Sequence, residues 1–323
     1  MRGSPIYQVQ QLFSQSGISR IGHSKHDAKQ SIRAELNEQG KPCGWHELGQ
    51  NMGIHSYATA DAYRDVWRQI LEHARTEYGV RDVEKLTGQH VSGFLEKKVS
   101  ESVAYATFQQ YAAAAEKLAA ALNGYAERHG TGHHYDFHGA LKDVRETARE
   151  LLTRFDGSRA YDRPADVVAA VAKENHHLAA CIQHESGARV HELSQIRAEA
   201  LRGISSDRLT GEERGYFAME GKGGKEGLKA VSVETYQRLE QHIAQHGVFK
   251  VNEGSYRESL RKAAEISEQR YEGTHGLRWN WAQERYATLQ DHGLNELQAM
   301  CEVSKEMGHE RADITMHYLK GKQ

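Results

Sequence analysis

At 323 residues the chain is long enough for two domains, each with its own core. Its 42 Lys and Arg against 44 Asp and Glu leave a formal charge of −2, so any surface that binds a polyanion has to be local rather than global. No apolar run approaches the roughly 20 residues of a membrane span, and the polar start Met1-Arg2-Gly3-Ser4 lacks a signal peptide's apolar centre, which excludes a membrane partner and points to the cytoplasm.

Residues 1–55 read as an N-terminal extension. Ser24 with Asp27 resembles a capping box, and Ala28, Ile32 and Leu36 form an apolar stripe opposite Lys25, Lys29 and Arg33. That basic stripe is either an arm laid along a phosphate backbone or an ordinary solvated face. Gly40 to Gly53 reads as loop.

Residues 56–157 carry a run of helical periodicity. Tyr63, Val66, Trp67, Ile70, Ala74 and Tyr78 fall at three-and-four spacing and Gly79 stops the helix. A second helix starts at Thr87 and runs through Val91, Phe94 and Leu95; a third carries Phe108, Tyr111, Ala115, Leu118 and Leu122. His129, His133, His134 and His138 then surround Asp136. Such groups can ligate metal, but they match no known spacing and have no cysteine nearby, so no metal is assigned. A helix from Gly139 to Phe155 puts Leu141, Val144, Ala148, Leu151 and Leu152 on one face. Three scattered cysteines, Cys43, Cys181 and Cys301, read as reduced and structural.

A linker over 158–163 leads to a second domain, 164–323, opened by Pro164 at a helix start. One long helix is expected from Pro164 to Ser186, with Val168, Val171, Leu178 and Ile182 inward and Gly187 closing it. Phe217-Ala218-Met219 and Ala230 to Val233 look like strands joined by the glycine-rich stretch Gly221 to Gly227, which places Lys222 at a hairpin tip. That loop lacks the spacing and the Ser/Thr of a nucleotide-binding loop. Helices follow around Tyr236, Leu239 and Ile243, and through His275, Arg278, Trp281, Ala282 and Tyr286. Asp313 is a plausible cap for a short last helix bearing Tyr318.

The chemistry concentrates in this half. A phenol with an ordinary pKa near ~10 is a poor nucleophile at neutral pH, so Tyr318 needs cationic neighbours and a place for its proton. Singly, Arg189 could pair with Glu192, His275 could cap its helix and Tyr318 could be core. Together, two arginines, a lysine, two histidines and a tyrosine make a poor core and a good phosphate site.

Arg189-Val-His-Glu192-Leu, Gly221-Lys222-Gly223, His275-Gly-Leu-Arg278, Gly308-His309, and Tyr318 nine positions after His309 occur in an order that resembles the tyrosine recombinase (phage integrase) family. The motifs cover the last half of the chain, and the helices before them resemble that family's core-binding domain. The resemblance implies a mainly α fold with a small β-sheet in the catalytic domain, and two domains closing as a C-shaped clamp on double-stranded DNA. It implies that Arg189 and Arg278 grip one phosphodiester and Tyr318 attacks it to give a 3′-phosphotyrosyl link. Lys222 would protonate the leaving 5′-oxygen, with Lys225 as competitor. His275 would handle a proton, His309 would bond a phosphate oxygen and Glu192 would orient the catalytic groups. Lys25, Lys29, Arg33 and Lys225 would be the DNA contacts.

No cofactor is implied, neither metal nor ATP, because the covalent link keeps the ester's energy. Four protomers on two duplexes would form the working assembly, and an accessory directionality factor is a further partner that the family allows. Only Leu319 to Gln323 follow the tyrosine, at most about 18 Å of chain, so a tail-mediated interface is not expected and the DNA-free protein is expected to be a monomer. Two departures stand out: Trp279 follows Arg278 where the family often has histidine, and Arg278 to His309 is longer than usual by about two helical turns. The extra residues are expected at Asp291 to Lys305. The alternatives are a type IB topoisomerase, which uses similar chemistry on one duplex, and an inactive DNA-binding regulator with the same fold.

Overall fold

The computed structural model describes residues 1–155, 157–220, 226–308 and 313–321. The chain divides into two compact units, Met1–Phe155 and Asp156–Gln323. Both are mainly helical, and the described strands all lie in the second. No described helix is long and apolar enough to cross a membrane.

The first unit contains α1 (Pro5–Gln15), α2 (Lys25–Glu38), α3 (Trp45–Asn51), α4 (Tyr57–Tyr78), α5 (Gly88–Ser100), α6 (Tyr105–His129) and α7 (His138–Leu151). Its core follows the helical stripes. Val66, Trp67, Ile70 and Ala74 of α4 are buried, and the Trp67 indole donates to the Ala114 carbonyl of α6 at 2.7 Å. Gly79 ends α4 with φ 70, a left-handed conformation that glycine adopts without a Cβ clash. The segment expected as an extension joins this core, since Val9, Leu12 and Phe13 of α1 cluster with Trp67, Leu71 and Leu118.

Ser24 caps α2, its hydroxyl accepting the Asp27 N–H at 3.2 Å. Leu36 is buried on that helix, while Lys25 is exposed and Lys29 and Arg33 are half-buried. Two expectations fail here. The stretch Gly40 to Gly53, expected as loop, contains α3, which buries Leu48; Lys117 of α6 donates to the Gly49 and Met52 carbonyls at its C-terminal end. Tertiary capping from another helix makes a helix where local sequence offers four glycines and no periodicity. Leu151, expected inward, is 69% exposed because α7 ends on it.

The second unit begins with α8 (Pro164–Ala169), with Pro at its first turn, and α9 (Glu174–Ser186). The single long helix expected here is therefore broken. The corner lets Val167, Val168 and Val171 bury in the same cluster as Leu178 and Ile182, so packing overrides the helical propensity of the connecting residues. Strands β1 (Gln195–Arg197), β2 (Leu201–Ser206), β3 (Glu213–Glu220) and β4 (Glu226–Val231) follow, then α10 (Val233–His246) and β5 (Val248–Lys250). β2, β3 and β4 form an antiparallel sheet in that order, and β1 pairs antiparallel with β5. The chain ends with α11 (Glu253–Ile266), α12 (Thr274–Asp291), α13 (Glu296–Glu306) and α14 (Asp313–Tyr318). The extra length expected between Asp291 and Lys305 is mostly α13. A second cluster of buried residues, Trp279, Trp281, Ala282, Leu289, Val303, Met307 and Tyr318, joins α12, α13 and α14.

Candidate active site

The site begins where α9 stops. Gly187 turns the chain with φ 62, and a Cβ there would lie 2.4 Å from the Trp281 ring of α12, so the turn and the helix packing both need glycine. The turn delivers Arg189, which caps a short 3-10 turn, Val190–Leu193. Glu192 accepts from the Arg189 backbone N–H at 2.7 Å and from its guanidinium at 2.8 Å. Burial pushes the Glu192 carboxyl up, but the two bonds from Arg189 and the charge of Lys229 outweigh it and hold it below the usual carboxylate range. Glu192 thus stays ionised and fixes Arg189.

Helix α12 brings His275 and Arg278. Its first turn packs closely against the segment before α8: a Cβ on Gly276 would meet the Tyr161 ring at 2.6 Å. Arg278 is fully buried. One of its terminal nitrogens donates to the Gly187 carbonyl and the other to the Met307 carbonyl, the latter at 2.9 Å. Burial and then the charge of Arg189 lower its pKa, while hydrogen bonding to Tyr318 works the other way. The pair of arginines therefore repel each other at close quarters, and an anion between them would relieve that repulsion.

Tyr318 is 7% exposed at the end of α14, its ring 5.1 Å from that of Trp279. Its hydroxyl lies 3.3 Å from His275 Nε2, and the Arg278 guanidinium carbon lies 5.9 Å from its ring centre. Trp279, in the place of the expected histidine, thus supports the tyrosine by packing. Burial, then the charges of Arg278, Arg189, Arg159 and His317, push the His275 pKa down to about 4. The residue as a whole is exposed, so water screens part of that effect; the direction, a neutral imidazole at pH 7, stands. A neutral ring with Nε2 unprotonated can accept the tyrosine's proton.

Arg189, Glu192, His275, Arg278 and Tyr318 are therefore brought together in one unit. Lys222, Lys225 and His309 lie outside the described residues. Lys25, Lys29 and Arg33 belong to α2 of the other unit. Among the described residues, no three His, Cys, Asp or Glu side chains group as a metal site; Cys43, Cys181 and Cys301 are free thiols.

Two charged residues at this site were missed in the sequence. Lys229 of β4 is 6% exposed, donates to the Glu306 carbonyl at 2.6 Å, and lies 5.9 Å from the Trp281 ring. Burial, then Arg278 and Arg189, push it down to about 7, against the opposing pull of Glu192 and Glu306. Arg285, about two turns further along the same face of α12, bonds the Glu306 carboxylate at 2.8 Å and Asp207 at 2.7 Å. The sequence carried no clear signal for Lys229: it lies between Leu228 and Ala230, and a strand that turned its leucine inward would have turned Lys229 out.

The chain has the fold of the tyrosine recombinases. The XerH site-specific recombinase, in a post-cleavage complex with palindromic difH substrate, superposes with a TM-score of 0.62 at 13% identity over 97% of this chain and 91% of that one. Its pre-cleavage complex gives 0.58 at 12% identity, covering 97% and 92%. The Tn1549 transposon integrase, bound to circular intermediate DNA, gives 0.53 at 11% identity, covering 92% and 96%. No family model matches the sequence, and no curated protein matches it.

Proposed function

We propose that the chain is a site-specific DNA recombinase that cuts and rejoins strands through Tyr318. The observation that supports this best is the shared hydrogen bonding of Tyr318 with His275 and Arg278 beside Arg189, residues far apart in the sequence and collected in a cluster rich in positive charge. The fold neighbours are themselves DNA complexes, which agrees with double-stranded DNA as the partner.

In this reading a phosphodiester sits between Arg189 and Arg278, whose forks bind the non-bridging oxygens and stabilise the charge of the five-coordinate transition state. Tyr318 attacks phosphorus while His275 accepts its proton. The bond to the 5′-oxygen breaks, and Lys222 supplies the proton to that oxygen. His309 bonds a phosphate oxygen. The product is a 3′-phosphotyrosyl link with a free 5′-hydroxyl, and attack by a 5′-hydroxyl of another strand reverses the step. Four protomers on two duplexes would make a full exchange.

The test is a pool of nicked duplexes with a randomised core, in which cleavage next to the nick releases a short fragment and traps the covalent adduct. Wild type should form an adduct that survives denaturation, and Tyr318→Phe should bind the enriched duplex equally and form none. Adduct formation by Tyr318→Phe would remove Tyr318 from the role. Joining of a second duplex's strand to the trapped end separates a recombinase from an enzyme that only relaxes one duplex, and binding without any wild-type adduct would leave a regulator.

A further inference from the structure

Lys229 has no part in the chemistry above, yet it is buried beside it. Turning a lysine inward from a strand is expensive, because the ammonium loses its water and here also faces Arg278 and Arg189. An apolar side chain of the same length would fill the space without that cost. What the amine does gain is the Glu306 carbonyl, at 2.6 Å.

That carbonyl belongs to the last residue of α13, and the next one, of Met307, takes the Arg278 guanidinium at 2.9 Å. Carbonyls at a helix C-terminus lack partners within the helix and carry its partial negative charge, so two cations satisfy them well. The Glu306 side chain is held too, by Arg285, which is itself tied to Asp207. The end of α13 is thus clamped from β4, α12 and the turn that follows β2. From that end the chain runs on to α14 and Tyr318.

We propose, resting on the recombinase reading for its chemistry, that Lys229 is a positioning residue. It holds the Glu306 carbonyl next to the carbonyl that Arg278 holds, and so sets where the α13–α14 segment departs and how Tyr318 meets the phosphate. Lys229 does not itself reach the leaving oxygen, since its amine is enclosed and bonded to backbone.

The test uses full-length Lys229→Met and Lys229→Arg with two substrates, the natural nicked duplex and one whose leaving 5′-oxygen is replaced by sulfur, together with amide hydrogen exchange over 303–321. Lys229→Met should keep DNA affinity and cut about a hundredfold more slowly on both substrates, the loss that a misplacement of about 1 Å can cause. Its amides at Met307, Gly308 and α14 should exchange at least about tenfold faster. Lys229→Arg keeps a cationic donor, and the cavity shared by Lys229, Trp281, Arg285 and Glu306 gives it room, so it should stay near wild type in both readouts.

Rescue of Lys229→Met by sulfur would make Lys229 the proton donor and overturn the positioning role. Unchanged exchange would overturn the anchor. If Lys229→Met does not fold, Lys229→Gln, whose shorter side chain cannot span the bond to the Glu306 carbonyl, decides: raised exchange at α14 upholds the anchor and wild-type exchange overturns it. If wild type forms no adduct, the recombinase reading fails, and exchange alone then upholds or removes the anchoring.

Discussion

Gly187 and His275 show how much of the site rests on single residues. Gly187 needs a left-handed backbone and leaves no room for a Cβ under Trp281, and its carbonyl holds Arg278. Gly187→Ala should cost about 1 kcal/mol for the backbone and about 1–3 kcal/mol for the collision. Denaturant unfolding checks this, with Gly227→Ala, where the added methyl meets nothing, as the control. Equal stability of the two variants would mean that the turn adjusts freely. For His275 the folded pKa, about 4, lies below the unfolded value of 6.5. Unfolding therefore takes up a proton between those values, so the stability tied to the neutral ring is complete above about 6.5 and is lost as pH falls toward about 4. Histidine NMR on the DNA-free protein, assigned with His275→Asn, should find a ring that stays neutral well below pH 6.5, and duplex binding should raise its pKa by adding a phosphate charge. A His275 ring that is already protonated at neutral pH without DNA would sink the proton-acceptor role.

At the scale of elements, the sequence was legible where one face is apolar over several turns, as in α4, α5 and α6, whose stops and caps fall at Gly79 and Thr87 as expected. It was not legible where distant residues decide. α3 exists through Lys117, and β2 is almost wholly exposed, so neither prints a pattern. α11 was readable and went unassigned: Asn252 caps it, and Tyr256, Leu260, Ala263 and Ala264 recur at helical spacing. β4 misleads, since Leu228 is 54% exposed and Lys229 faces in. Motif order had already grouped Arg189, His275, Arg278 and Tyr318 of the candidate site, whereas Lys229 and Arg285 become visible only once α13 is in place. The β3–β4 register pairs Glu220 with Glu226, and Lys222 falls among the five residues between them in the sequence. In the recombinase reading the proton donor is Lys222, and Lys229 is enclosed. Lys222→Ala should therefore cut slowly on oxygen and recover on the sulfur substrate, whose leaving group needs little protonation. Recovery by Lys225→Ala instead would move the role to that lysine.

For the whole molecule, the net charge of −2 sets a problem that the local chemistry has to solve. Long-range attraction to a duplex is weak for such a chain, and acidic surface away from the contact is repelled, so affinity has to come from phosphates met at short range. Each phosphate neutralised releases counterions and adds about 0.9 to the slope of log affinity against log salt, whatever the sign of the net charge. A near-neutral protein with a real contact surface and one without therefore differ in slope before they differ in affinity. We expect a steep slope for the wild type on the enriched duplex. Lys25 of α2 is exposed, and Lys29 and Arg33 follow it at four-residue spacing on the same helix face. If that face lies on DNA, replacing all three with Gln should flatten the slope by up to about 3 and weaken binding to every sequence alike. Site preference should then be unchanged, because contacts to phosphate position the protein without reading bases. An unaltered slope in the triple variant would make α2 an ordinary solvated face, and a flat wild-type slope would contradict binding through phosphates altogether.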